Sequence, residues 1–262
     1  MKRRHVLEFE DLPSFPSWLR ACVTNNIVVF ARLIGIPEVL GDLVAKTLKQ
    51  QKLTQIVDLG SGSGGVMPDV LAHLRGSPGL EQAELTMTDL YPNPDAMERY
   101  SDGPAHYKRE SVDATDLAQA PAGLKTMVNS FHHLRPEQAR AVLSSAVDSK
   151  QPILIYEMAD NTMPFWLWVL SLPIGLSITG AMSFFMSLKV RPLSFNQLFF
   201  TFCVPLIPIF YAWDGQASMP RIYGLEDLDE LLEGLERPDY TWEKGQAKNK
   251  TGQGIYLVGL PT

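Results

Sequence analysis

The chain has 262 residues, of which 45% are hydrophobic, and its formal net charge is −6 at pH 7. This length is enough to bury a sizeable core but is short for two full domains. The acidic balance and the lack of a basic patch argue against nucleic acid as a partner, because phosphate contacts need clustered lysine and arginine.

The first 50 residues are predicted to form helices. Apolar residues recur at near-helical spacing between Ser14 and Leu33. A second helix is predicted to begin near Pro37 and to continue through Leu48. We expect both helices to pack against the edge of the sheet that follows, or beside the ligand that the sheet binds.

A short apolar strand ends in Asp58 and is followed by a glycine-rich turn. Residues 56–65 read Ile-Val-Asp-Leu-Gly-Ser-Gly-Ser-Gly-Gly. Glycine adopts positive φ without a Cβ penalty and lets the backbone approach a ligand closely. A helix is predicted from Val66 to Leu74, so the turn lies at a helix N-terminus, where a nucleotide cofactor can bind.

Two kinds of nucleotide cofactor fit this turn. Gly60, Gly62 and Gly65 match G-x-G-x-x-G, the dinucleotide fingerprint. Asp58 favours a different cofactor, since a carboxylate adds nothing to a pyrophosphate site but can attract the cationic end of a sulfonium-bearing amino-acid cofactor. A glycine turn that binds nothing is the third alternative.

Acidic residues also end the next two predicted strands. Asp89 ends the strand that begins at Leu85, and it can accept hydrogen bonds from both hydroxyls of a ribose. Asp113 follows a short strand near His106 to Arg109, with Asp116 as its near competitor. Acids at the ends of three successive strands are more specific for a nucleoside than any one of them alone.

The remaining elements complete an α/β pattern. Strands are predicted at residues 124–130 and 151–157, with a helix at 136–147 between them. Alternating strands and helices predict a parallel sheet with helices on both faces. A helix from Leu225 to Leu235 and a β-pair, residues 240–248 with 254–260, are predicted to end the chain.

The apolar segment 161–213 contains only two charged residues, Lys189 and Arg191. Its two uncharged stretches each exceed the length of a membrane-spanning helix. Three structures fit: a spanning hairpin, a hairpin that dips into one leaflet, and a soluble lid or dimer element over the site. The prolines and the positive-inside rule argue against the first. All three imply a hydrophobic acceptor or hydrophobic surroundings.

The run Asp-Leu-Gly-Ser-Gly-Ser-Gly at 58–64 resembles motif I of the class I S-adenosylmethionine (SAM)-dependent methyltransferases. The resemblance covers roughly Leu53 to Tyr156. It implies SAM as the cofactor and a Rossmann-like, seven-stranded, mostly parallel sheet, and it places Asp113 at the adenine amino group. The residues predicted to bind the cofactor are Asp58, Gly60, Ser61, Gly62, Gly64, Asp89, Leu90, Asp113, Ala114 and Asn129.

Under this resemblance the chain divides into four parts. Residues 1–50 are the N-terminal helical extension, and residues 51–160 are the SAM-binding core. Residues 161–224 are the apolar insertion, and residues 225–262 complete the sheet with a helix and a β-hairpin.

Candidates for chemistry lie just past the fourth and fifth strands. His132 or His133 is the predicted general base, because imidazole titrates near neutrality. A histidine pair with no proton chemistry is the alternative. No metal site is predicted, since adjacent side chains rarely converge on one ion. The predicted substrate contacts are Tyr156, Asp214, Arg221 and Tyr223.

The predicted function is transfer of a methyl group from SAM to a hydrophobic small-molecule or lipid-like acceptor, at oxygen. The alternatives are an NAD(P)-dependent oxidoreductase and a non-catalytic SAM-binding protein that uses the insertion as a surface. Two distant cysteines and no secretory signal predict a cytoplasmic protein, at the inner face of a membrane if the insertion contacts lipid. A membrane surface and a second copy of the chain are the candidate partners.

Overall fold

The computed structural model describes residues 1–262, which form one seven-stranded sheet with the strand order β3-β2-β1-β4-β5-β7-β6. Strands β1 to β5 run parallel to one another, whereas β7 runs antiparallel to both β5 and β6. This arrangement confirms the predicted fold class, including the C-terminal hairpin. The strands are β1 (Gln55–Leu59), β2 (Glu84–Thr88), β3 (Ala105–Tyr107), β4 (Leu124–Val128), β5 (Ile153–Glu157), β6 (Tyr240–Lys248) and β7 (Gln253–Pro261).

Nine α-helices surround the sheet. Short 3-10 turns lie at Phe9–Asp11, Phe131–His133 and Met219–Arg221, and a π-helical turn lies at Phe199–Cys203. The α-helices are α1 (Ser17–Ile34), α2 (Ile36–Gln51), α3 (Met67–Arg75), α4 (Pro94–Arg99), α5 (Pro136–Asp148), α6 (Phe165–Ser187), α7 (Phe195–Leu198), α8 (Leu206–Ala217) and α9 (Leu225–Leu232).

Two hydrophobic cores lie on opposite faces of the sheet. Helices α2 and α3 bury one face, and α5 and α9 bury the other. Successive strand residues point to alternate faces. In β5, Leu154 and Tyr156 therefore join the first core, and Ile153 and Ile155 join the second. This alternation decides which side of the sheet receives each side chain at the end of the strand.

The apolar segment folds as one long helix and one bent pair. Helix α6 is 23 residues long, with a mean hydropathy of 1.7 in its most apolar window, and it alone is long and apolar enough to cross a bilayer. The second stretch bends by 85° between Phe195–Cys203 and Leu206–Arg221, although the pair meets the same criterion when counted as one span. Pro205 lies at the bend, and proline lacks the N–H that would continue the helix. Helix α8 packs along α6, and α1 contacts both.

Candidate active site

The turn after β1 is held in a conformation that favours glycine. Gly60, Gly62 and Gly64 have φ of 68°, 53° and 110°, respectively. A Cβ on Gly64 would lie 2.8 Å from Cε2 of Tyr100, whereas one on Gly62 would meet no atom within 4 Å. One side of the turn is therefore packed against the protein, and the other side leaves room for a ligand.

Asp89 lies directly against this turn. Its Oδ2 accepts a hydrogen bond from the backbone N of Gly62 at 2.8 Å, and its Oδ1 accepts one from Tyr91 N at 2.8 Å. The hydroxyl of Tyr107, the last residue of β3, donates to Gly62 O at 2.9 Å. Residues from β3 and from the end of β2 thus hold the turn in place.

Asp58 is buried beneath the turn. Its carboxylate accepts hydrogen bonds from Ser61 Oγ at 2.6 Å and from Thr126 Oγ1 at 2.7 Å. Burial raises the pKa of Asp58 to about 7, against the opposing effect of these two hydroxyls. Asp58 therefore fixes the start of the turn through Ser61, and its contact with a cofactor stays a prediction.

The other predicted cofactor residues border the same edge of the sheet. Asp113 is exposed, and its Oδ1 accepts from Thr115 N at 2.8 Å. Leu90 is exposed, and Ala114 is half-buried. Asn129 has a left-handed φ of 52°, and its Oδ1 accepts from Met158 N at 2.8 Å, which ties the end of β4 to the end of β5. Their roles toward a cofactor stay predictions.

A cavity of 520 Å³ lies between these strand ends and the helices of the insertion. Its polar wall includes Asn129, His132 and Glu157. Its apolar wall comes from α1, α6 and α8 and includes Val23, Ile27, Phe30, Met182 and Tyr211. The cavity can therefore accommodate an apolar molecule with its polar group at the edge of the sheet.

His132 is held by Glu157 from the neighbouring strand. The backbone N of His132 donates to Glu157 Oε1 at 3.0 Å, and Nδ1 lies 2.7 Å from Oε2. A carboxylate accepts hydrogen bonds, so Nδ1 carries a proton in this contact, and Nε2 lies 3.8 Å from Glu8 Oε1. The substrate contact predicted from the sequence at this strand end is Tyr156, the residue before Glu157. Strand alternation is the signal that separates them, since it directs Glu157 to the cavity side.

Residues 3–11, here called the N-terminal strap, cross over the histidine pair. Arg3 Nη2 donates to His132 O at 2.9 Å, and Arg3 Nε donates to Arg221 O at 2.8 Å. The carboxylate of Asp214 accepts from the backbone N of Phe9 at 2.8 Å. No motif marks the strap in the sequence, because its partners lie more than a hundred residues away.

Where the strap meets the sheet edge, four ionisable groups cluster around the fully buried side chains of Glu8 and Arg221. Arg221 Nη1 lies 2.7 Å from Asp11 Oδ2 and 3.2 Å from Glu8 Oε2. His133 Nδ1 lies 2.7 Å from Asp11 Oδ1 and 3.2 Å from Glu8 Oε2. Glu8 is 0% exposed, and neither of its carboxylate oxygens has a hydrogen-bond partner. Burial raises the pKa of Glu8 to about 8, although His133 and Arg221 pull it down.

No protein-family model matches the chain, and no curated protein matches it. Solved structures do match. The plantazolicin methyltransferase BpumL, bound to a monoazolic desmethylPZN analog and S-adenosylhomocysteine (SAH), is 13% identical with a TM-score of 0.56; the match covers 97% of this chain and 92% of that one. The O-methyltransferase NcsB1 from neocarzinostatin biosynthesis is 16% identical with a TM-score of 0.52, over 97% of this chain and 61% of that one.

The chain has the class I methyltransferase fold. The strand order, the glycine turn after β1 and the antiparallel last strand agree with this fold. Open space at Gly62 and the carboxylate of Asp89 beside it also suit the nucleoside that the fold implies.

Three of the predicted substrate contacts do not line the cavity of this methyltransferase fold, and we correct them. Tyr156 is 0% exposed and belongs to the core beneath the sheet. Arg221 is also 0% exposed, because its guanidinium is used by the buried charge cluster. Tyr223 packs on Phe131, and its hydroxyl donates to a backbone oxygen. Of the four predicted substrate contacts, only Asp214 lines the cavity. The two histidines that were predicted as bases, His132 and His133, also line it.

The histidine pair lies close to Glu8, and these three side chains could together hold a metal ion. Glu8, His132 and His133 each offer one metal-ligand atom, and these atoms lie within 4.8 Å of one another. The guanidinium of Arg221 already supplies positive charge beside Glu8. We therefore interpret this group as an ion network that anchors the strap, and the absence of a metal stays a prediction.

Proposed function

We propose that this protein is a SAM-dependent methyltransferase that acts on a hydrophobic small-molecule or lipid-like acceptor, at oxygen. One observation carries the proposal. The glycine turn and the cavity with the His132–Glu157 pair share one edge of the sheet, joined at Asn129. A cofactor bound at the turn and an acceptor in the cavity would therefore meet at the end of β4.

The residues at the turn fit SAM. Positive φ at Gly60 and Gly62 opens the turn toward the ligand side, and Asp89 borders it. Each oxygen of Asp89 accepts one hydrogen bond from the backbone and can accept another, so both are able to bind ribose hydroxyls. When bound, SAM supplies an electrophilic methyl group on a sulfonium. Asp113 remains the proposed partner of the adenine amino group.

The cavity residues would position the acceptor and take its proton. Holding the acceptor oxygen in line with the methyl group supplies much of the acceleration. In our proposal Nε2 of His132 accepts the proton from an acceptor hydroxyl. Glu157, hydrogen-bonded to Nδ1, holds the ring in this orientation and stabilises the imidazolium that forms when Nε2 accepts the proton.

The lining of the cavity supports a hydrophobic acceptor. Apolar side chains such as Ile27, Phe30 and Met182 form the wall opposite His132. The volume of 520 Å³ lies within the range of small-molecule sites. NcsB1 binds 1,4-dihydroxy-2-naphthoic acid together with SAH, and that molecule combines hydroxyl groups with an apolar ring system. We propose an acceptor of the same general character, with a hydroxyl group on an apolar body.

Two experiments test the proposal. Calorimetric titration should show binding of SAM and SAH and no binding of NAD; binding of NAD without SAM would instead favour an NAD(P)-dependent oxidoreductase, as the G-x-G-x-x-G pattern allows. Incubation with labelled SAM and a hydrophobic extract should then transfer label to an extractable compound. Binding without transfer to any compound would favour the non-catalytic SAM-binding alternative.

A further inference from the structure

Helices α1, α6, α7 and α8 form a bundle beside the cavity, here called the apolar bundle and defined as residues 17–34 and 161–213. We propose that the outer face of the apolar bundle docks into one leaflet of an anionic lipid bilayer. This inference goes beyond methyl transfer, since it concerns where the protein resides, and it holds whether or not the protein transfers a methyl group.

The outer face exposes large apolar side chains on more than one helix. Trp166, Leu170 and Ile174 of α6 are 68%, 70% and 67% exposed. Phe195 of α7 is 74% exposed, and Ile209 of α8 is 55% exposed. Only 11% of the most apolar window of α6 is buried. Soluble monomers rarely expose apolar surface that continues across several elements, so this face is expected to be covered.

The interior of the same bundle contains a polar network beside its apolar core. Asn26 of α1 donates to Ser183 Oγ of α6 at 2.8 Å, and Gln197 Nε2 donates to Asn26 Oδ1 at 3.2 Å. Ser187 and Thr201 complete this network, and all five residues are 0% exposed. Five buried polar residues beneath a largely apolar exterior depart from the usual distribution of a soluble protein. Buried interhelical hydrogen bonds under an apolar exterior are typical of helices in lipid.

The charge of the apolar bundle indicates the kind of lipid. Its charged residues are Arg20, Arg32, Lys189 and Arg191; the acidic residue that follows in α8, Asp214, lies outside this range and is buried. The whole chain has 23 basic and 29 acidic residues, so the remainder of the protein carries all of its negative charge. Lys189 and Arg191 are exposed at the end of α6. An apolar face that carries the exposed basic groups of Lys189 and Arg191 complements a bilayer with anionic headgroups.

The geometry favours docking in one leaflet over a full crossing. The chain returns from α6 through the 85° bend before α8, so the return path is not one straight span. Arg32 of α1 bonds to Asp69 of α3 at 2.7 Å, and this contact ties the bundle to the sheet domain. A second copy of the chain is the competing occupant. A second copy would bring the same basic residues to the face, whereas an anionic bilayer supplies the opposite charge.

Flotation with lipid vesicles tests the inference in the absence of SAM. The full-length protein is mixed with vesicles of phosphatidylcholine and phosphatidylglycerol, or of phosphatidylcholine alone, and is centrifuged through a density gradient. We expect the protein to float with the mixed vesicles and to float less with phosphatidylcholine alone. Because no methyl donor is present, a lack of flotation would leave the proposed function unaffected. In the same way, a lack of methyl transfer would leave this inference unaffected.

Paired substitutions separate the apolar and electrostatic contributions. Leu170→Glu with Ile174→Glu should lower vesicle binding more than about tenfold. Gln50→Glu with Gln82→Glu adds the same charge on the exposed surface of the sheet domain and should leave binding close to wild type. Lys189→Gln and Arg191→Gln should each weaken binding to the mixed vesicles by about fivefold.

Cysteine labelling reports on insertion. Cys203 is exposed in the π-helical turn of the bundle, and Cys22 is buried. A membrane-impermeant maleimide should label Cys203 rapidly in free protein and slowly in protein bound to mixed vesicles.

Absence of flotation with both kinds of vesicle, or equal labelling with and without lipid, would overturn the inference. A stable dimer that Leu170→Glu with Ile174→Glu dissociates would assign the face to a second copy instead. Labelling of Cys203 by reagent sealed inside the vesicles would also overturn it, in favour of a spanning hairpin.

Discussion

Oε2 of Glu157 lies 2.7 Å from Nδ1 of His132, and Oε1 of the same carboxylate lies 3.0 Å from the backbone N of His132. Both residues are buried, and they come from the ends of adjacent parallel strands. The carboxylate therefore fixes both the orientation of the imidazole ring and the nitrogen that carries the proton. This pairing makes His132 the general base of our proposal; its Nε2 lies 3.8 Å from Glu8 Oε1, whereas Nδ1 of His133 lies only 2.7 Å from Asp11 Oδ1.

The Glu157–His132 contact predicts a specific loss of turnover. Glu157→Gln should lower kcat by roughly 10- to 100-fold, because an amide no longer stabilises the imidazolium. The affinity for SAM should stay within about twofold of wild type, since Glu157 does not belong to the turn. Steady-state kinetics and calorimetry measure the two quantities. Glu137→Gln, on the exposed side of α5, is the matched control, and equal kcat in the two variants would contradict the role of Glu157.

Asp89 should control cofactor affinity. Asp89→Asn removes the charge of the group that accepts the ribose hydrogen bonds. Each such bond contributes about 1.5 to 3 kcal/mol to the binding free energy when one partner is ionised. We expect the Kd for SAM, measured by calorimetry, to rise by roughly 10- to 100-fold. Asp95→Asn makes the same change on the exposed surface of α4 and should leave the Kd unchanged. An unchanged Kd in Asp89→Asn would place the ribose elsewhere.

Arg221 should matter for stability rather than for substrate binding. Arg221→Met leaves Glu8 and Asp11 without their guanidinium partner, and removal of one member of a buried ion pair costs about 3 to 5 kcal/mol. Urea unfolding should show a decrease of that order in the free energy of unfolding. Adding Glu8→Gln should restore part of it above pH 8, where the carboxyl of Glu8 ionises, because the orphaned charge is then removed. A double variant less stable than Arg221→Met would contradict this account.

The buried carboxyl of Glu8 should make stability fall as pH rises. Its pKa is about 8 in the folded protein, against an ordinary value of 4.5, so the folded state binds more protons than the unfolded state between these two values. The contribution of Glu8 is fully present below pH 4.5 and is lost as the pH rises through 8. Glu8→Gln should flatten the dependence of Tm on pH across this window. Glu236→Gln, at an exposed position, is the control and should follow the wild-type dependence of Tm on pH. A wild-type dependence for Glu8→Gln would contradict the account.

The sheet and the glycine turn were predictable because local signals encode them. Alternation of strands and helices, a glycine run after an apolar strand, and acids at strand ends all lie within short windows, and the fold confirms the sheet they predict. The uncharged character of 161–213 was equally visible, but its 85° bend depends on how α7 and α8 pack.

The polar residues around His132 and His133 were less predictable, because they come from segments that are distant in the sequence. Glu8 meets His133 and Arg221 only after the N-terminal strap crosses the sheet edge. Arg221 and Tyr223 looked like substrate residues because they follow a long apolar run, yet the buried cluster and the second core use them instead. At the end of β5, side-chain alternation could have separated Glu157 from Tyr156.

The central claim is that the glycine turn and Asp89 hold SAM with its methyl group directed at the cavity. A crystal structure of the protein with SAH tests it most directly. We predict that the ribose hydroxyls lie about 3 Å from the carboxylate of Asp89, with the sulfur at the cavity mouth beside Asn129. SAH bound elsewhere, or with its ribose away from Asp89 and its sulfur outside the cavity, would contradict the claim.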